Sequence, residues 1–205
     1  QIYEGAALLA GGSPYFLHCP AELDFRPDWD AVPDSVWART ALIYVCSPGN
    51  PSGAILTGED YARLTALADR HGFVIVADEC YSELYYDEQR PPLGLLEWCA
   101  ANGREDFRHC LVMHSLSKRS NAPGLRSGFV AGDAAILGGV LEDVSRIYPD
   151  ALFTIPTINP GFVQRQFAEY RVQTVSMLPW NGSMKILGVP VLRAALSADV
   201  ILVTD

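Results

Sequence analysis

The stretch SLSKRSNAPGLRSG, residues 115–128, sets Lys118 three positions after Ser115, one after Ser117 and eight before Arg126. Two other stretches have a similar density of reactive side chains, SPGNPSG at 47–53 and DECYSELYYDE at 78–88. Each alone has an ordinary reading: a turn, a solvated Asp-Glu at a strand end, a surface lysine or arginine. Their placement argues otherwise. SPGNPSG follows the apolar run ALIYV, DECY follows FVIVA, SLSK follows CLVMH, and Arg126 precedes SGFVAG. In open α/β sheets ligands sit beyond the C-terminal ends of the strands. These ends together offer an amide, a carboxylate, a phenol, an amine and a guanidinium.

Pyridoxal phosphate is the ligand that asks for this set. Its aldehyde needs a lysine amine for a Schiff base, its ring nitrogen needs a carboxylate to stay protonated, and its phosphate needs Arg and hydroxyl donors. The ring 3-oxygen needs neutral donors. Lys118, Asp78, Arg126 with Ser115 and Ser117, and Asn50 with Tyr81 are the respective candidates. Arg119 receives no role on this reading.

The elements that must position these residues alternate. QIYEGAALLAGG reads as a helix with Ile2, Ala6, Leu9 and Ala10 on one stripe, PYFLHC as a short strand, and residues 30–38 as a short helix. ALIYVCSP, FVIVA, CLVMHS and SGFVAG read as buried strands. Thr57, with Asp60 three positions on, predicts the capped start of a helix that ends at Gly72; further helices are expected over 93–101 and 133–147. Strand and helix in alternation predict an α/β fold with a mainly parallel sheet. Prolines break up the chain from about residue 148, which predicts a partial large domain over 1–147 and a small C-terminal segment, a domain remnant or unrelated tail, over 148–205. Within the latter, 162–170 reads as a helix, and VQTVSML and VILVT as strands.

Across its 205 residues the chain carries 24 acidic against 15 basic residues, a net charge of −9, and has no basic run. That argues against a nucleic-acid or anionic-membrane surface. The five cysteines are odd in number and none are spaced C-x-x-C, so they read as buried thiols with no metal site. No apolar run reaches the roughly 18–20 residues of a membrane span, and no signal-peptide pattern opens the chain. A cytoplasmic location is expected.

SPGNPSG, DECYSELYYDE and SLSKRSNAPGLRSGF, in that order, resemble the three motifs of the class I/II, fold-type I pyridoxal-phosphate aminotransferases. The resemblance covers roughly residues 1–138, and its finer wording, IYEGAALLAGG with PYFL, is most similar to the succinyldiaminopimelate aminotransferases. It implies transfer of an amino group from an amino acid such as glutamate to a 2-oxo acid, with N-succinyl-2-amino-6-oxopimelate of lysine biosynthesis as the specific expectation. It also implies Lys118 as the catalytic amine, a homodimer that lends a tyrosine across its interface, and a full-length member about twice as long. The family's aromatic that stacks on the cofactor ring would fall at or before Gln1. Past Gly138 the likeness is loose and makes Arg193, with Asn50, a candidate for the substrate carboxylate. Because the Lys118 constellation reports the cofactor and not the bond cleaved, a carbon–sulfur lyase or an inactive cofactor-binding fragment stays open beside the aminotransferase.

Overall fold

The computed structural model describes residues 2–125, 128–147, 153–157, 165, 172–176 and 200–203. Helix α1 spans Ile2–Leu9 and α2 Asp34–Trp37; β1 (Leu42–Cys46), α3 (Gly58–His71), β2 (Val74–Asp78), α4 (Leu95–Ala101) and β3 (Cys110–Ser115) follow in strict alternation. A four-residue helix α5 (Leu116–Arg119) leads to β4 (Gly128–Gly132) and α6 (Ala134–Ile147), and β5 (Phe153–Thr157), β6 (Val172–Ser176) and β7 (Val200–Val203) complete the described elements.

The seven strands among the described residues join one sheet in the order β1-β2-β3-β4-β7-β5-β6. Every pairing is parallel except β3 with β4, which is antiparallel. The α/β class with a mainly parallel sheet therefore holds. The crossovers β1–α3–β2 and β2–α4–β3 are the helix-containing connections that parallel neighbours require. β2 sits between two strands, and Ile75, Val76 and Ala77 are buried in succession; on the outermost strand β1 only Ile43 and Val45 are buried while Leu42 is exposed. The continuous run and the alternating run are the burial patterns of strands covered on two faces and on one.

α3 starts on a reciprocal capping box, in which Thr57 Oγ1 accepts from the Asp60 amide and Asp60 accepts from the Thr57 amide. It ends at Gly72, φ 78°, whose amide reaches Ala68 O at 2.8 Å. Tyr61, Leu64 and Ala68 on its inner face are fully buried and join Phe73, Ile75, Leu95, Cys99 and Cys110 in the core. α3 packs on β2, α4 on β3, and α6 on β4.

One expectation needs correction. Residues 14–19 belong to no strand of the described sheet; Pro14 opens the run and Pro20 follows it, and Tyr15 and Phe16 are exposed. Proline lacks the amide donor a ladder needs, so an apolar run between prolines is a poor strand. The helix expected at the start of the chain forms over Ile2–Leu9, and no residue of it is buried. The helix expected over 162–170 lies, Arg165 apart, outside the described residues. No helix among the described residues is long and apolar enough to cross a membrane.

Candidate active site

Because β1, β2 and β3 run parallel in adjacent positions, their C-terminal ends open on one edge of the sheet. The register sets Cys46 beside Asp78 and Asp78 beside Met113, so the loop after β1, the carboxylate ending β2 and the Ser115–Lys118 turn after β3 are neighbours. Each end is built differently.

The loop after β1 closes on itself. Buried Ser47 donates its amide to Asp78 O at 3.2 Å and accepts from the Leu56 amide at 3.0 Å, and Gly49 and Gly53 bond across the turn. Asn50 is thereby held at the exposed tip, where its Nδ2 donates to Tyr81 Oη at 3.1 Å. Tyr81 is fixed from its own side by a turn in which Ser82 N donates to Glu79 O and Leu84 N to Tyr81 O. The amide and phenol assigned to one ligand oxygen are therefore in contact.

Asp78 is half-buried. Its Oδ1 accepts from the Cys80 amide at 3.1 Å and its Oδ2 from the Tyr3 phenol at 2.6 Å. No lysine, arginine or histidine among the described residues pairs with it. A carboxylate with two neutral donors and no cation has spare lone pairs for a protonated nitrogen. The nearby thiols stay protonated: burial first, then hydrogen bonding to Asp78, pushes Cys80 up to about 12, and burial with the Asp78 charge raises Cys46. Neither is a thiolate nucleophile.

The turn after β3 caps α5. Ser115 Oγ accepts from the Ser117 amide at 3.1 Å and donates to Ser117 Oγ at 2.8 Å, which places both hydroxyls at one point. Lys118 follows one turn on, exposed, and makes no ion pair among the described residues. Gly128, opposite Ser115 in the β3–β4 register, explains the end of the motif: a Cβ there would strike the His114 carbonyl oxygen. Arg126 and Arg193 lie outside the described residues.

Three features were not expected from the sequence. Tyr3 stacks on Tyr44 with centroids 4.8 Å apart and rings 12° from parallel, which carries its phenol onto Asp78 from 75 residues away. Burial, then the Asp78 hydrogen bond, raises its pKa, so it remains a donor. Glu79, buried next to Asp78, accepts from the Leu95 amide at 2.7 Å and lies 3.3 Å from His114 Nε2, tying β2, β3 and the start of α4 together. Arg119 pairs with Glu83. Only the Asp-Glu and His-Ser neighbours hinted at the second, because alternation in a strand puts adjacent residues on opposite faces.

The family model for aminotransferase class I and II matches residues 1–156. The chain belongs to the class I and II aminotransferases. It is 37% identical over 139 residues to an LL-diaminopimelate aminotransferase of Maridesulfovibrio salexigens, covering 68% of this chain and 34% of that protein. A crystal structure of an aminotransferase from Neisseria meningitidis matches at TM-score 0.68 and 50% identity, over 72% of this chain and 37% of that one. A probable N-succinyldiaminopimelate aminotransferase from Thermus thermophilus matches at TM-score 0.62 and 27% identity, over 71% and 36%. The chain spans about a third of the length of the relatives it matches. Aminotransferases of this family depend on pyridoxal phosphate. The donor set at the sheet edge fits it: a carboxylate and an amine that make no ion pair among the described residues, an amide and phenol in contact, and two converging hydroxyls.

Proposed function

We propose that this aminotransferase chain supplies the cofactor floor of an enzyme that moves an amino group between an amino acid, with glutamate the expected donor, and a 2-oxo acid of the diaminopimelate type, with N-succinyl-2-amino-6-oxopimelate the specific candidate. The observation that carries the reading is the meeting of three parallel strand ends bearing the Asn50–Tyr81 pair, Asp78 and the Ser115–Lys118 turn. The substrate class is supported by the names of the relatives, which refer to diaminopimelate or its N-succinyl form.

When bound, pyridoxal phosphate supplies an electron sink for the charge left on the substrate Cα after a proton departs. The residues do the rest. Lys118 Nζ would hold the cofactor and, when free, would take the proton that leaves the substrate Cα and hold it for return. Asp78 accepts from the ring N–H and stabilises its positive charge, while Tyr3 and the Cys80 amide keep the carboxylate oriented. Asn50 and Tyr81 hydrogen-bond the ring oxygen. Ser115, Ser117 and Arg126 hold the phosphate, and Arg193 with Asn50 takes the substrate carboxylate. Residues 1–147 are read as part of the cofactor-binding large domain and 148–205 as the smaller segment.

A homodimer is the assembly in keeping with Ile2 and Leu9, which are 84% and 92% exposed on α1. An apolar face left in water on a short helix is the kind that a second subunit covers.

Titrating the purified chain with pyridoxal phosphate tests the reading. A visible absorption band should form, borohydride should fix the cofactor to Lys118 by peptide mapping, and glutamate should bleach the band before fixation. Cofactor fixed to another lysine, or a band that Lys118→Ala leaves intact, refutes the assignment. A band that releases sulfide from cysteine but ignores glutamate would point to lyase chemistry instead.

A further inference from the structure

We infer that Arg119 and Glu83 form a positioning pair that holds the Lys118 turn against the Tyr81 loop; the inference rests on the reading of Lys118 as the cofactor amine. Lys118 sits on a helix of four residues, too short to be stable on its own, since fixing a first helical turn is unfavourable. Behind it the Asn121 amide reaches Lys118 O at only 3.3 Å, and Asn121 itself has φ 47°, so the chain leaves the helix through a left-handed residue. The turn is anchored in front, where Ser115 Oγ takes the Ser117 amide. From the side of the loop after β2 its anchor is Arg119, whose Nη2 donates to Glu83 Oε1 at 2.8 Å across 36 residues.

Glu83 belongs to the same tight turn as Tyr81, through the Leu84 amide bond to Tyr81 O. Tyr81 is independently held by Asn50. The line Asn50–Tyr81–Glu83–Arg119 therefore runs from the loop of β1, through that of β2, to the residue after Lys118. Two groups meant for adjacent positions on one aromatic ring, the phenol and the amine, are linked through their side chains by this ion pair, beyond the backbone bond from Glu79 N to Met113 O that joins the two strand ends. The Arg119 side chain is 27% exposed and that of Glu83 46%, so the pair is partly screened and its effect moderate.

The pair acts on the amine, so its loss should weaken a ligand that bonds covalently to Lys118 and spare one that cannot. Arg119→Met and Glu83→Gln should each raise the Kd of the chain for pyridoxal phosphate about two- to five-fold, the size of a part-exposed ion pair, and leave pyridoxamine phosphate binding unchanged. The double variant should be no worse than either single one, and the exchange of charges in R119E/E83R should restore most of the loss. Without any cofactor, amide exchange over residues 116–122 should quicken in both single variants. Equal weakening of both ligands, additive effects, or unaltered exchange overturns the pairing role. A parent chain with no Lys118-dependent absorption band overturns the reading beneath it as well, whereas a normal parent with indifferent variants overturns the pair alone.

Discussion

Removing the Asp60 carboxylate should loosen the N-terminal segment that leads into the site. Asp60 is 5% exposed and accepts four hydrogen bonds: from Arg26 Nη1 at 2.8 Å, Trp29 Nε1 at 2.9 Å, and the Thr57 amide and hydroxyl, each at 2.8 Å. At about 1.5 kcal/mol for a bond to a charged group, simple addition would give about 6 kcal/mol. That sum is too large. Thr57 is exposed and Arg26 keeps 30% of its side chain in water, so their donors find solvent when Asp60 is gone. The Trp29 indole is buried and does not, which costs about 1–3 kcal/mol, and the lost capping box adds about 1 kcal/mol. Asp60→Ala should therefore destabilise by about 3 kcal/mol, and Asp60→Asn, which keeps one acceptor oxygen, by about half of that.

Urea unfolding followed by circular dichroism reads the difference, and its pH dependence has a definite sign. Burial alone would raise the Asp60 pKa, but the Thr57, Trp29 and Arg26 donors outweigh it and hold the group below its ordinary value. A depressed carboxylate stabilises the fold fully above its unfolded pKa of about 4, and the contribution fades as pH falls through the folded value. The gap between parent and Asp60→Ala should be flat from pH 5 to 8 and narrow below pH 4. A loss under about 1 kcal/mol, or a gap that widens in acid, would refute this division of the stabilisation between the buried indole and the helix cap.

Three further changes test other joints. Tyr3→Phe deletes a phenol donor to Asp78 at a half-open position and should cost about 1 kcal/mol; because burial and Asp78 raise the phenol pKa, the deficit should persist unchanged from pH 7 to 9 and shrink only above the unfolded phenol pKa of about 10, and convergence with the parent below pH 9 by thermal melts would contradict it. Gly128→Ala places a methyl group against the His114 carbonyl and should cost at least about 2 kcal/mol, whereas Gly124→Ala, with nothing near the added carbon, should be close to neutral; equal melting temperatures for the two would dismiss the close approach of β3 and β4. Asp78→Asn retains shape but loses charge, and should weaken pyridoxal phosphate binding about ten-fold or more, measured by equilibrium dialysis; affinity equal to the parent's would remove Asp78 from the cofactor.

Much of the architecture was legible because its signals are local. The runs before Cys46, Asp78 and Ser115 are apolar and β-branched over five or six residues, and the Thr57–Asp60 spacing announces a cap, so β1, β2, β3 and the start of α3 follow from neighbours in the chain. The residues 14–19 misled for the converse reason. Tyr15 and Phe16 have strand propensity, but Pro14 and Pro20 withhold ladder donors at the ends of the run, and no strand of the described sheet lies beside it. The reversal at β4 was equally hidden: the run GFVAG reads alike in either direction, and what turns the chain is the short path from α5 through the single turn Pro123–Leu125. A parallel return needs a crossover of a dozen residues or more, usually with a full helix, and the twelve residues 116–127 that join β3 to β4 are the bare minimum and hold only the four-residue α5 and one turn.

The candidate site divides along the same line. Lys118, Asp78 and Asn50 stand at strand ends and could be named from order and residue type. Tyr81 could be paired with Asn50 through the ligand oxygen they would share, but Tyr3 on Asp78 and Glu83 on Arg119, which join positions 75 and 36 residues apart, could not be named. Parallel strands bring their loops side by side but leave each loop free to swing about its own strand end. The lateral bonds remove that freedom. Asn50 on Tyr81 ties the loop after β1 to that after β2, and Arg119 on Glu83 ties the loop after β2 to the turn after β3. The strands decide which residues reach this edge, and the side chains between them decide whether those residues can act on one molecule.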